Sequence, residues 1–160
     1  MKLQTILKRF QSLHPKEIDL SLHRIKDLCE KLNNPQDEIK CIQVCGTNGK
    51  FGTIQALRAI LKEAGYKCNL YTSPHIKRIN ERFVYEDKVI KDKDLVKLLY
   101  NVEKINNGKP LTYFEALTAA FFLGCRKYKE NIVLAEFGLF CRGDAVNILK
   151  KNICNILTYI

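Results

Sequence analysis

The sequence predicts an α/β fold, a P-loop-type parallel sheet with helices on both faces. Three observations carry that expectation. Residues 39–45 (IKCIQVC) form an apolar run of strand length that opens at once into a glycine-bearing loop over residues 46–52. Residues 53–64 follow, with Ile54, Leu57, Ile60 and Leu61 at helical spacing up to Gly65, and residues 67–72 read as a second strand. Further apolar strands at 131–137 and 152–159 alternate with helical segments. That alternation is the pattern of βαβ units, whose parallel strands are covered by their crossover helices.

The remaining elements follow from local signals. Ile18, Leu22, Ile25, Cys29 and Leu32 are spaced for a helix over 18–32, which Asn33-Asn34-Pro35 stops. Residues 82–85 and 88–90 suit a hairpin around Glu86-Asp87. Asp92 or Asp94 caps a helix through Ile105, broken by Asn107-Gly108-Lys109-Pro110. Thr112-Tyr113-Phe114-Glu115 matches the capping box T-x-x-E, in which the threonine hydroxyl and glutamate carboxylate serve each other's backbone N–H. An apolar helix over 116–128 comes next. Residues 1–10 alternate polar and apolar side chains and read as no particular element.

Composition removes several classes of function. The 160 residues carry 27 Lys+Arg against 17 Asp+Glu, a formal charge of +10, at 46% hydrophobic content. That is the profile of one globular domain, not of a disordered chain. No apolar run approaches the ~18 residues that cross a bilayer, and no signal-peptide core opens the chain, so a cytoplasmic location is expected. The positive excess peaks between residues 41 and 80, where Glu63 is the only acid. No aromatic-interleaved RNA motif or zinc-finger spacing accompanies it, so nucleic acid is not an expected partner. Seven cysteines are scattered through the chain, several inside apolar runs. Reduced, buried thiols and no metal cluster are expected.

The chemistry-bearing segment is Gly46-Thr47-Asn48-Gly49-Lys50-Phe51-Gly52-Thr53. It lies between a strand and a helix, where ligand loops of α/β sheets lie. Glycines let backbone approach a phosphate, a helix N-terminus offers free N–H groups, and a lysine adds a point charge. Val44 stands where a strict Walker A sequence has its first glycine, and a βα turn with a fortuitous lysine is the bland alternative.

This segment resembles the Gly-Thr-Asn-Gly-Lys-Gly-Ser loop of the folylpolyglutamate synthase/dihydrofolate synthase family, in the Mur-ligase group. Other segments resemble that family in the same order. His14-Pro15-Lys16-Glu17-Ile18-Asp19-Leu20-Ser21-Leu22 is similar to its N-terminal helix, and Tyr71-Thr72-Ser73-Pro74-His75 with Arg78 and Asn80-Glu81-Arg82 to its YTSPH…R.NER stretch. Leu111 to Glu115 resembles LT.FE, and Glu136-Phe137-Gly138-Leu139 with Arg142, Asp144, Ala145 and Asn147 resembles E.GLGGR.DATN. The resemblance implies ATP-dependent ligation of L-glutamate to folate or dihydropteroate through an acyl phosphate. It implies an ATP loop at residues 46–53, with Lys50 stabilising the transferring phosphoryl group. It further implies Mg²⁺ contacts at Ser73 and Glu136, and pterin-side contacts at Thr112, Tyr113, Phe114, Glu115 and Arg142. Taken singly, Ser73 could be a turn residue, Thr112 and Glu115 a helix cap, His75 a hydrogen-bonded loop residue and Glu136 a lysine's partner.

Three departures qualify the expectation. Phe51-Gly52 replaces the family's Gly-Ser, removing a hydroxyl that would face Mg²⁺. Phe140-Cys141 replaces Gly-Gly. The sequence also stops before the family's G.DH segment. Residues 1–160 are therefore expected to be the N-terminal part of an ATP-binding Mur-ligase-like domain, truncated or degenerate, without the C-terminal glutamate-binding domain and inactive alone. The alternative is a non-catalytic nucleotide- or folate-binding module, or half of a split enzyme completed by a second chain.

Overall fold

The computed structural model describes residues 2–15, 19–138 and 141–160. Expectations for Lys16, Glu17, Ile18, Leu139 and Phe140 fall outside those residues. The elements are α1 (Leu3–Ser12), α2 (His23–Lys31), β1 (Lys40–Cys45), α3 (Lys50–Glu63) and β2 (Cys68–Tyr71), then β3 (Phe83–Tyr85) and β4 (Lys88–Val89). They continue with α4 (Asp92–Asn106), α5 (Tyr113–Cys125), β5 (Ile132–Glu136) and β6 (Cys154–Leu157).

One sheet runs in the order β4-β3-β2-β5-β1-β6. β5 pairs in parallel with β1 on one side and β2 on the other, and β6 joins β1 in parallel. The expected hairpin forms, and it extends the sheet antiparallel through β3 on β2. The sheet is therefore mixed. Its parallel centre, β2-β5-β1, is buried along almost every residue, as strands with covers on both faces must be.

The two faces are covered unequally. α1, α2, α4 and α5 pack over one face around Phe10, Tyr71, Phe83, Phe121 and Phe122. α5 lies at the middle of that layer, so it is apolar all round and its Thr118 hydroxyl hydrogen-bonds the buried Tyr71 hydroxyl at 3.1 Å. α3 covers the other face, burying Ile54 against Val44, Leu70 and Leu134.

Three boundaries differ from expectation for physical reasons. α1 forms although residues 1–10 read as no element. Its signal is Leu3, Ile6, Leu7 and Phe10 at helical spacing, and the last three are buried. α2 starts at His23, and the described residues 14, 15 and 19–22 are not helical, so the expected N-terminal helix over His14–Leu22 is corrected there. α3 starts three residues early because Gly49, at φ +85°, turns the chain directly into helical Lys50-Phe51-Gly52. Asn33 and Asn34 both take left-handed φ and end α2 as expected.

The cysteine expectation also needs correction. Cys45 and Cys141 form a disulfide across a sequence separation of 96. Cys45 ends β1, and the turn at residues 141–143 folds back over that strand end, bringing the two Cα atoms to 6.1 Å. Cys29, Cys41, Cys68 and Cys125 are buried thiols as expected, whereas Cys154 is exposed on the edge strand β6; burial pushes the Cys29 thiol up to about 12.

Phe121→Ala removes a fully buried ring that touches Tyr71, Phe83 and Tyr85, and is expected to cost about 3–5 kcal/mol in urea unfolding. Phe51→Ala removes a ring that is 59% exposed and is expected to stay within about 0.5 kcal/mol of wild type.

Candidate functional site

The parallel strands deliver the site. β1, β2 and β5 end side by side, so the residues following each strand meet at the carboxyl edge of the sheet. β1 leads to the 46–49 loop and Lys50, β2 leads to Ser73-Pro74, and β5 ends on Glu136. The Glu136 carboxylate is buried. Its Oε2 accepts the Ser73 backbone N–H at 2.9 Å, and its Oε1 lies 3.9 Å from Lys50 Nζ. Burial pushes the Glu136 pKa up, while the Ser73 N–H, Lys50 and Arg82 pull it back.

The loop is built by its glycines. Gly46 takes φ +139° against Thr158, so a side chain there would be strained and would clash with the Thr158 hydroxyl. Thr47 and Asn48 donate their N–H groups to the Tyr159 carbonyl at 2.8 and 3.2 Å. Two donors expected to face a phosphate are thus already occupied. The first intrahelical bond runs from Thr53 N–H to the Gly49 carbonyl. Lys50, Phe51 and Gly52 therefore present the N–H groups that a helix start leaves without an intrahelical partner. Lys50 Nζ donates back to the Gly46 carbonyl at 2.9 Å and holds the loop closed over its own helix start.

A cleft of about 530 Å³ adjoins this edge. Lys50, Ser73, Pro74 and the expected Thr112, Tyr113, Phe114 and Glu115 all line it. The capping box is realised: Thr112 Oγ1 accepts from Glu115 N–H at 3.1 Å, and Glu115 Oε2 accepts from Thr112 N–H at 2.8 Å. Capping and cleft-lining are therefore the same arrangement, not competing readings. Phe114 also sets how close the opposite wall comes, since its ring lies against Gly138.

Arg142 departs from expectation. It is exposed and is not among the lining residues, because the turn at 141–143 presents Gly143 and then Asp144 to the cleft instead. Asp144 orders that wall by accepting the N–H groups of Gly138 and Val146, each at 2.8 Å. The rest of the expected ATP loop, residues 46–49 and 51–53, forms the adjoining turn and helix start without lining this cleft.

Two lining arginines were not expected as site residues. Arg24 bridges Asp19 at 2.6 Å and Glu115 at 3.1 Å, tying the 19–22 segment to the start of α5. No local pattern marks it, since its Glu115 partner is 91 residues away. Arg82 donates to His75 Nδ1 at 3.0 Å, and its motif neighbours Asn80 and Glu81 were the available signal. Glu81 braces the same loop by accepting the N–H groups of Ile76 and Arg78 at 2.8 Å each, which holds its carboxyl below the usual range.

Glu136 and the Ser73 hydroxyl are oxygen donors at one edge, the chemistry that suits a hard divalent cation. They fit an ion that takes few protein ligands and completes its shell with phosphate and water. Among the described residues no group of three His, Cys, Asp or Glu could hold a metal ion by itself, and no helix is long and apolar enough to cross a membrane.

Fold and loop together define a P-loop-type α/β domain of the Mur-ligase ATP-binding class. The chain is 36% identical over 154 residues to a dihydrofolate synthase/folylpolyglutamate synthase of Buchnera aphidicola from Acyrthosiphon pisum, a match over 96% of this chain and 37% of that one. It is 32% identical to the protein of the same name from Escherichia coli K12, over 94% of this chain and 36% of that one. The bifunctional folylpolyglutamate synthase/dihydrofolate synthase of Yersinia pestis superposes with a TM-score of 0.89 at 32% identity, over 98% of this chain and 38% of that one. Escherichia coli FolC in complex with DHPP and ADP superposes at 0.88 with 30% identity, over 96% of this chain and 38% of that one. No protein-family model matches the chain. The chain is homologous to the N-terminal portion of the folylpolyglutamate synthase/dihydrofolate synthase family, and it spans a little over a third of the length of these relatives.

The Glu136 pKa, raised above 4.5 in the fold, has a linkage consequence. The folded state holds that proton more tightly, so its stabilising contribution is complete below the unfolded pKa and is lost as pH rises through the folded one. Glu136→Gln lacks this term. Its unfolding free energy relative to wild type is expected to climb from pH 4 to pH 7 in urea titrations; a flat difference would show that Glu136 carries no burial penalty.

Proposed function

We propose that residues 1–160 form the N-terminal part of an ATP-binding Mur-ligase-like domain. Its reaction is the ATP-dependent ligation of L-glutamate to folate or dihydropteroate. The observation that carries this reading is the meeting of Lys50, Ser73 and Glu136 at one sheet edge beside the Thr112–Glu115 cleft. Related structures support it: a bifunctional folylpolyglutamate synthase/dihydrofolate synthase carries Mn, AMPPNP and L-glutamate, and Escherichia coli FolC carries DHPP and ADP.

In this reading the N–H groups of Lys50, Phe51 and Gly52 bind phosphate oxygens, and Lys50 Nζ turns from the Gly46 carbonyl toward the charge that develops on the transferring phosphoryl group. Ser73 and Glu136 would hold Mg²⁺, which supplies charge neutralisation between nucleotide and acceptor carboxylate. Phe114, Pro74 and Tyr113 orient the flat ring of a pterin and exclude water from that end of the cleft. Arg82 adds a further positive charge to the cleft lining. The activated carboxylate is an acyl phosphate, which the glutamate amine attacks with loss of phosphate.

A second reading is a non-catalytic nucleotide- or folate-binding module, and a specific observation favours it. Gly52 has no hydroxyl, and nothing lies within 4 Å of where its Cβ would be. Position 52 leaves room for a phosphate but supplies no side-chain oxygen to an ion.

Calorimetry with MgATP tests both readings. Wild type is expected to bind, and Lys50→Ala to bind at least about tenfold more weakly, a loss of about 1.4 kcal/mol. Absence of binding by wild type would remove the nucleotide reading. Incorporation of labelled glutamate into tetrahydrofolate separates ligase from module.

A further inference from the structure

The Cys45–Cys141 pair is placed unlike the other cysteines. Five cysteines remain free, four of them buried. A chain with that many free thiols is not built as a disulfide scaffold, in which cysteines pair throughout. Both faces of the sheet are packed by helices independently of this one bond. The two sulfurs also differ in access, since Cys45 is buried at the end of β1 while Cys141 is exposed on the turn.

The bond joins separate parts of the cleft wall. From Cys45 the chain runs through Gly46 to Lys50, which lines the cleft. From Cys141 it runs to Gly143, Asp144 and Ala145, which line it as well. Gly143 seats a third part of the wall: a Cβ there would stand 3.1 Å from the Leu20 carbonyl oxygen, and Leu20 is also a lining residue. Asp144 is fixed by the Gly138 and Val146 N–H groups. Residues 141–143 are held more loosely, because the Asn147 amide reaches the Arg142 carbonyl only at 3.4 Å, a long hydrogen bond. The disulfide, with its Cα atoms 6.1 Å apart, is what fixes this turn on the strand end. Neither sulfur belongs to a residue that lines the cleft, so exchange at the pair leaves the contact groups themselves unaltered.

We propose that Cys45–Cys141 is a thiol–disulfide exchange site that sets the order of the cleft wall: oxidised, it fixes the turn and the Leu20 segment for a ligand, and reduced, it releases them. The exposed sulfur admits a small dithiol as reductant. One thiolate of the reagent attacks Cys141 Sγ, the S–S bond breaks, and Cys45 Sγ leaves and takes a proton. The second thiol of the reagent attacks the mixed disulfide, Cys141 leaves as a thiol, and the reagent closes into a cyclic disulfide. Two electrons and two protons pass to the protein, and an oxidised dithiol reverses both steps. A wall that is already ordered need not be ordered by the ligand, so the oxidised chain binds it more tightly. The switch stands on the disulfide and the turn; the identity of the ligand alone rests on the ligase reading.

The test compares the oxidised chain with the same chain treated with dithiothreitol in the absence of denaturant. Cysteines alkylated after a denaturing quench are expected to rise from five to seven, and to return to five with oxidised dithiothreitol. In hydrogen exchange, the amides of residues 19–22 and 142–146 are expected to exchange at least about tenfold faster in the reduced chain, with those of β1 and β5 unchanged. Dihydropteroate, titrated by calorimetry, is expected to bind the reduced chain about tenfold more weakly. Cys141→Ser is expected to behave as the reduced chain under both conditions, and Cys154→Ser, which removes the exposed free thiol, to keep the full response. A pair that is reduced only in denaturant overturns the proposal, as does equal exchange of the wall amides, or equal dihydropteroate affinity, in the two states. So does a response that survives in Cys141→Ser. Dihydropteroate binding to neither state removes the ligase reading of the cleft, while the amide exchange still decides the switch.

Discussion

A carboxylate placed out of water at the end of a central strand is the constraint around which this molecule is arranged. Glu136 ends β5, the strand flanked by both β1 and β2, so its side chain emerges between the two loops those strands feed. Burial makes its charged form costly unless neighbours answer it. The answers come from those loops: the Ser73 N–H from one, and Lys50 from the other. The same burial that costs stability keeps oxygen donors and an ammonium group close together in a low-dielectric edge, which is what phosphoryl chemistry requires.

The rest of the site follows from how that edge is walled. α5 begins at the cleft, and its capping box fixes Thr112 and Glu115 while Arg24 draws the 19–22 segment onto the same carboxylate. On the far side, Asp144 gathers two backbone N–H groups and sets the turn opposite Phe114. The Cys45–Cys141 link ties that turn to the residue preceding Gly46. The 46–49 loop and the turn at 141–144 are thus joined covalently, although almost a hundred residues separate them. The chain's positive charge is also unevenly placed in space: five lysines with no ion pair among the described residues line a neighbouring cavity between α1, α4 and the 75–80 segment, while Lys50 serves the sheet edge.

Much of this is legible in the sequence. The β1–loop–α3–β2 unit, the capping box at Thr112 and the meeting of Lys50, Ser73 and Glu136 all rest on short-range patterns or on motif order. What was not legible has a common cause. Arg24, the disulfide and the solvent-facing position of Arg142 depend on partners far along the chain or on which way a turn folds back. α1 is the exception. Its spacing was present at Leu3, Ile6, Leu7 and Phe10, but interleaved polar residues hid it until α4 and α5 supplied a surface to bury it.

Motif order pointed to Ser73 and Glu136 through the family resemblance, and the sequence by itself determined the α/β class and the strand–loop–helix that carries Lys50. The latter two depend on periodicity, glycine placement and capping, which act within a few residues. Only the tertiary structure decided that Tyr159 takes up two of the loop's N–H groups, that Arg142 faces solvent, and that lysines from α1 and α4 share a cavity with the 75–80 segment. Those outcomes depend on which strand lies beside which and on which helix faces meet, and no local pattern encodes that.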